Sequence, residues 1–157
     1  EAGKLMMALN VERAAKDTSG AITSLLGHDA VTSGSVGVVG FCMGGGLALV
    51  TACAEGQRVG ACVHFYGVIP WPDAQPDWSA LTAPIQGHFA ENDGMFGPDA
   101  VNDLQQRLDA LGKSAELIVY PGADHAFFND TRPEVHDPEA SNLAWNRTLG
   151  FLRSHVR

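Results

Sequence analysis

Val36-Gly37-Val38-Val39-Gly40-Phe41-Cys42-Met43-Gly44-Gly45-Gly46 is the stretch on which the fold turns. A β-branched apolar run breaks off at Gly40-Phe41-Cys42-Met43-Gly44, a Gly-x-Cys-x-Gly pattern, and the almost wholly apolar run from Leu47 to Ala54 follows. The pattern predicts a buried strand, a sharp turn and a buried helix, with one nucleophilic side chain at the apex. That is the layout of a nucleophile elbow, with a thiol where a hydroxyl is usual. Glycines two positions either side of the apex are expected, because side chains there would collide with the neighbouring strand and helix. The apical residue itself is held in a strained backbone conformation. The helix that follows aims its N-terminal N–H groups and the positive end of its dipole at the apex, a setting that favours a thiolate.

Outward from this stretch, elements alternate. On the N-terminal side, Leu5, Met6, Leu9, Ala14 and Ala15 recur at helical spacing, and a second amphipathic stretch with Ile22, Leu25 and Leu26 ends at Gly27. The polar segment from His28 to Ser35 reads as a loop. Val36 to Phe41 reads as a strand apolar on both faces, hence central and parallel. A helix over Gly44 to Ala54, a polar connection over Glu55 to Arg58 and a strand over Val59 to Tyr66 follow. Pro70 to Pro84 holds four prolines and two tryptophans and reads as a loop. Ile85 to Ala90 is a third strand, Pro98 to Leu111 a helix closed by Gly112, Ala115 to Tyr120 a fourth strand, and Asn142 to Val156 a terminal helix. This alternation predicts one α/β domain over residues 1–157 with a parallel sheet, whose functional loops lie beyond the carboxyl ends of the strands.

Composition narrows the function classes. The chain has 157 residues, 45% of them hydrophobic and 18% charged, enough for a real core. A net charge of −8 without any basic block argues against nucleic acid or an anionic membrane as partner. The three cysteines, Cys42, Cys53 and Cys62, fit neither a zinc pattern nor a closed disulfide framework, which points to a reducing cytoplasm. No apolar run is long enough to span a bilayer, and no two histidines share an element at metal-ligand spacing. The glycines after Val39 do not spell a dinucleotide or P-loop fingerprint. A chain that opens Glu1-Ala2-Gly3 and runs at once into helical periodicity reads as one that starts within a domain.

Three of the four predicted strands end in a residue of catalytic type: Cys42, Asp93 and His125. A thiol nucleophile needs a base, and histidine suits that task. A carboxylate such as Asp93 would hold the imidazole in the right tautomer, with Glu91 as its nearest rival. The order nucleophile, acid, histidine is that of the α/β-hydrolases, in which the backbone N–H after the nucleophile, here Met43, forms part of an oxyanion hole. These parts describe acyl transfer on an ester or lactone. Cys53 and Cys62 read as core, as do His64 and His88 within strands, while His28, His136 and His155 read as exposed. Two other readings are open. One is a non-catalytic α/β module used for binding or assembly, and the other is a redox-sensing thiol at Cys42.

At these residues the sequence resembles the dienelactone hydrolase family. Gly40-Phe41-Cys42-Met43-Gly44-Gly45 is similar to its cysteine elbow, Ala90-Glu91-Asn92-Asp93 to its acid loop, and Tyr120-Pro121-Gly122-Ala123-Asp124-His125-Ala126-Phe127 to its histidine loop. Tyr66-Gly67 matches the end of the strand after the elbow. The resemblance implies cofactor-free hydrolysis of a small lactone or ester, such as carboxymethylenebutenolide, by Cys42, His125 and Asp93, with Tyr66, Phe127 and Asn129 near the substrate. It also implies an arginine four residues after the histidine, where this chain has Asn129, with Arg132 close by. Family members carry about half a domain before the elbow, which supplies the first strands, a second oxyanion donor, a glutamate and a further arginine; only 41 residues precede Cys42 here. The resemblance therefore predicts an α/β-hydrolase-like fold without its N-terminal strands. Val36 to Phe41 becomes an edge, to be covered by a second chain or a second copy.

Overall fold

The computed structural model describes residues 1–67, 69 and 75–157. Four strands, β1 (Val36–Phe41), β2 (Val59–Phe65), β3 (Ile85–Ala90) and β4 (Ala115–Tyr120), form one sheet in the order β1-β2-β3-β4, all neighbours parallel. Parallel neighbours need crossovers. Helix α3 (Met43–Glu55) connects β1 to β2, and α4 (Pro98–Ala110) connects β3 to β4. Helices α1 (Ala2–Met7) and α2 (Val11–Leu26) precede the sheet, and α5 (Pro138–His155) closes the chain. The predicted loop from Pro70 to Pro84 falls partly outside the described residues, as positions 70–74. Its described remainder tucks Trp78, Leu81 and Ala83 into the core.

Alternation along the strands sorts the core into two layers. On one face Val36, Cys62 and Ile85 pack with Leu49 and Ala52 of α3 and Leu108 of α4. On the other, Val63, Phe65, Ala90 and Tyr120 pack with Phe127 and with Ala140 and Ala144 of α5. β2 and β3 are buried almost throughout, as covered parallel strands must be.

β1 differs from the central strand that its composition predicts and takes the edge position that the family resemblance predicts. It lies at the edge of the sheet, and Val39 and Phe41 are 39% and 38% exposed. The apolar content of the run is real, but nothing among the described residues pairs with its outer side. The element boundaries also differ in places. Asn10 accepts a hydrogen bond from the Arg13 N–H at 2.9 Å and caps a helix that runs unbroken from Val11, so the break falls before Ala14 and Ala15 rather than after them. α5 begins four residues earlier than its periodicity suggests. Asp137 accepts from the N–H groups of Glu139 and Ala140, both at 3.0 Å, and Pro138 takes the first helical position. α4 ends as predicted, with Gly112 at φ 66°. Among the described residues no helix is long and apolar enough to cross a membrane.

Candidate active site

Cys42 follows the last residue of β1 and precedes the first of α3, at φ 52° and ψ −123°. This is a strained conformation for a residue with a β-carbon, and the surrounding packing imposes it. The Cys42 N–H donates to the Phe65 carbonyl at 3.0 Å, and its own carbonyl accepts from Gly45 and Gly46 at 2.9 and 3.2 Å. A β-carbon on Gly40 would run into the Gly44 carbonyl, and one on Gly45 would lie 2.7 Å from Cα of Gly67. Gly40 and Gly45 are thus the glycines that the elbow needs. Gly44, expected to be crowded, has nothing within 4 Å of its would-be β-carbon. It borders an open groove of about 320 Å³ beside β1, with Val39 and Leu47 in the lining, so the collision predicted there does not exist among the described residues.

β3 and β4 deliver the other two residues. Asp93 is 5% exposed. One carboxylate oxygen accepts from the Met95 and Phe96 N–H groups at 2.8 and 3.2 Å, and the other lies 2.6 Å from His125 Nδ1. A carboxylate held by two N–H groups is an acceptor only, so the Nδ1 proton belongs on the imidazole and Nε2 presents its lone pair. Nε2 lies 3.4 Å from Cys42 Sγ. The three residues that the sequence places at separate strand ends therefore meet in one line.

Glu91, the rival acid, does other work. Its carboxylate accepts from the Gly122 N–H at 2.8 Å, while the Asn92 side chain donates to the Gly122 carbonyl at 3.1 Å. The acid loop is thereby tied to the histidine loop. The Met43 N–H, first in α3, has no backbone acceptor among the described residues.

An open cleft of about 340 Å³ adjoins the line and is lined by Phe41, Tyr66, Phe128, Asn129 and Asp130. Tyr66, at φ 40°, places its ring 4.9 Å from the His125 ring. Burial, with Cys42 nearby, pushes its hydroxyl up to about 12, so it stays neutral. Asn129 reaches the cleft, but its side-chain carbonyl accepts from its own loop, from the Thr131 N–H at 3.1 Å and hydroxyl at 2.7 Å. Phe127 is not brought there. It is 0% exposed and packs on Tyr66 and Tyr120, while its neighbour Phe128 takes the place at the cleft. Arg132 pairs with Glu134 at 2.9 Å in solvent and does not line the cleft.

The other histidines and cysteines fall mostly where the sequence places them. His64 and His88 are core residues. His88 bonds the Tyr120 hydroxyl at 2.9 Å and the Thr148 hydroxyl at 3.1 Å, and burial lowers it to about 3. His64 has no hydrogen-bond partner for either ring nitrogen among the described residues, and burial lowers it to about 4. Cys53 and Cys62 are buried free thiols pushed up by desolvation, Cys53 to about 11. His28 and His155 are exposed. His136 is half-buried instead, against a cleft shared with Phe128 and Trp145. Among the described residues no His, Cys, Asp and Glu side chains cluster as metal ligands.

A sequence model described as "Dienelactone hydrolase family" matches residues 1–156. A Bradyrhizobium protein named a probable 2-oxo-3-(5-oxofuran-2-ylidene)propanoate lactonase is 34% identical over 94% of this chain and 62% of its own length. A candidate carboxymethylenebutenolidase of Saccharolobus solfataricus is 41% identical over 73% of this chain and 42% of its own. Among solved structures, a candidate dienelactone hydrolase of Klebsiella pneumoniae superposes with TM-score 0.82 and 26% identity, over 92% of this chain and 62% of that one. The chain thus spans less than two thirds of the length of these relatives. Family match, relatives and fold agree, and the chain belongs to the dienelactone hydrolase family.

Proposed function

We propose that Cys42, His125 and Asp93 form the catalytic triad of an ester or lactone hydrolase that works through a thioacyl intermediate. The observation that carries this reading is the unbroken line from Asp93 through His125 to Cys42, with contacts of 2.6 and 3.4 Å. His125 takes the thiol proton as Sγ bonds to the substrate carbonyl carbon, and the carbonyl electron pair moves to oxygen. The Met43 N–H donates to that oxyanion. As the C–O bond to the leaving group breaks, His125 returns the proton to the departing oxygen, leaving the acyl group on sulfur. Water then adds to the thioester, its proton passes to His125, and the C–S bond breaks as sulfur regains a proton. Asp93 holds the imidazole and stabilises its charged form throughout.

Relatives named as a lactonase and as carboxymethylenebutenolidases support small lactones as the substrate class. Free thiols at Cys53 and Cys62 fit a reducing compartment, and we place the protein in the cytoplasm. The bare edge of β1 supports a further strand, from a longer chain or a second copy, paired along it. A stable monomer of the 157-residue chain by light scattering contradicts that pairing.

Hydrolysis of 4-nitrophenyl acetate tests the triad. Cys42→Ala is expected to lower kcat/KM by at least about 10³-fold at unchanged circular dichroism. Equal rates for the two proteins overturn the reading.

A further inference from the structure

The loops that carry Asp93 and His125 are joined by more than the contact between those two side chains. The ladder of β3 and β4 ends at Ala90 opposite Tyr120. Past that pair the bonding goes on. The Glu91 N–H donates to the Tyr120 carbonyl at 3.1 Å, and the Asn92 N–H donates to the Ala123 carbonyl at 3.0 Å. Side chains take the residue in between. The Glu91 carboxylate accepts from the Gly122 N–H at 2.8 Å, and the Asn92 amide donates to the Gly122 carbonyl at 3.1 Å. Gly122, at φ 72°, thus has both of its backbone polar groups held by the acid loop. Each loop has a second anchor. Phe96, whose N–H donates to Asp93, stacks on Phe89 of β3 with ring centroids 5.3 Å apart. Phe127, two residues after His125, is wholly buried, and its carbonyl accepts from the Asp137 N–H and the Ser141 hydroxyl, both at 2.9 Å.

We propose that Glu91 and Asn92 are positioning residues, which set the separation of Asp93 and His125 through their grip on Gly122. The effect on turnover rests on the triad reading; the effect on the Asp93–His125 hydrogen bond rests on geometry alone. Glu91 and Asn92 are exposed, and neither lines the cleft beside Cys42. Hydrogen bonds in solvent add little to stability, so their worth lies in placement. The Asp93–His125 contact is 2.6 Å, and such a bond weakens steeply with distance and angle. A misplacement of about 1 Å at a reacting group costs on the order of 10²-fold in rate. The two side chains are not interchangeable. An ionised carboxylate only accepts, which suits the Gly122 N–H, and the carbonyl needs the amide's donor. The link lies on β3 and β4, and β2 separates that pair from β1, so a further strand along β1 leaves it in place.

The His125 Nδ1 proton is the direct readout. In so short a contact it is expected to resonate far downfield by NMR, assigned by its loss in His125→Gln. Glu91→Ala is expected to move it upfield and to speed its exchange with water at least about tenfold, whereas Glu91→Gln, which keeps an acceptor for Gly122, is expected to retain it. On 4-nitrophenyl acetate Glu91→Ala should lower kcat roughly tenfold to hundredfold and Asn92→Ala about threefold to tenfold, with KM within about twofold. Glu91→Gln should restore most of kcat. Gln86→Ala is the control. It removes the 2.8 Å side-chain bond to Glu116 at the other end of the same strand pair. It should lower the urea midpoint and leave both the resonance and kcat as they were. A resonance and kcat unmoved by Glu91→Ala overturn the proposal. So does a Glu91→Gln protein as impaired as Glu91→Ala, a Gln86→Ala protein that loses kcat equally, or a wild-type protein without the resonance. If the resonance follows the predicted pattern but the wild-type chain cleaves no ester, the triad reading fails while the link stands.

Discussion

Cys42 is held at φ 52° by its neighbours rather than by its own preference, and the glycines around it show which contacts matter. Gly45 faces the backbone of Gly67 at a distance that admits no β-carbon, whereas Gly44 faces open space. Gly45→Ala is therefore expected to cost about 1–3 kcal/mol of stability. Gly44→Ala, within a helix and free of contact, is expected to be neutral or to stabilise by up to about 1 kcal/mol. Urea unfolding of the two variants checks the pair, and equal losses contradict the crowding argument. Asp93→Asn keeps the size of the side chain but removes the acceptor that fixes the His125 tautomer. It is expected to lower kcat by roughly 10²-fold or more with little change in KM, measured on 4-nitrophenyl acetate. At this scale the sequence is informative because each of the three residues proposed as the triad sits at a strand end beside a turn signal. The choice between Phe127 and Phe128 is not legible. Two adjacent aromatics in a loop point opposite ways, and only the backbone path after Ala126, at φ 68°, decides which one is buried.

The elements divide by how local their signals are. β2, β3, α4 and β4 follow from apolar runs bounded by glycine and proline, and their observed spans lie within a residue of the expected ones. α5 shows the opposite case. Its apolar periodicity begins at Leu143, but its N-terminus is set by the Asp137 cap and Pro138, a signal that periodicity overlooks. Asp137→Ala is expected to cost about 1 kcal/mol, because two N–H groups of the first turn lose their acceptor. A shift of the thermal midpoint by a few degrees checks it, and an unchanged midpoint contradicts the cap. β1 is legible as a strand but not as an edge from its composition alone. A run that is apolar on both sides says only that both sides are meant to be covered, and sheet order depends on residues far away in sequence.

For the molecule as a whole, two buried histidines couple stability to pH. His64 is lowered from 6.5 to about 4 and His88 to about 3, both by burial, so the unfolded chain binds more protons than the folded one below pH 6.5. Stability is fully present above pH 6.5 and is lost as pH falls toward 4, by roughly 3 kcal/mol from His64, while the loss from His88 begins in the same range, continues toward pH 3 and is the larger of the two. His64→Gln should flatten the fall in urea midpoint between pH 7 and 4.5 relative to wild type. An unchanged slope contradicts the assignment. The sequence places both histidines in the core, yet it does not show that His88 is satisfied by Tyr120 and Thr148 while His64 has no hydrogen-bond partner among the described residues. That difference depends on contacts between strands and helix that are 32 and 60 residues apart in the chain.

In the proposed mechanism the sulfur of Cys42 carries the acyl group during turnover. Rapid-quench mass spectrometry of the chain mixed with 4-nitrophenyl acetate measures this directly. A transient acetyl adduct on the peptide containing Cys42 is expected. It should be absent from the Cys42→Ala protein and should persist longer when Asp93→Asn slows deacylation. Steady hydrolysis with no adduct at Cys42, or with acetyl found on another residue, would contradict it.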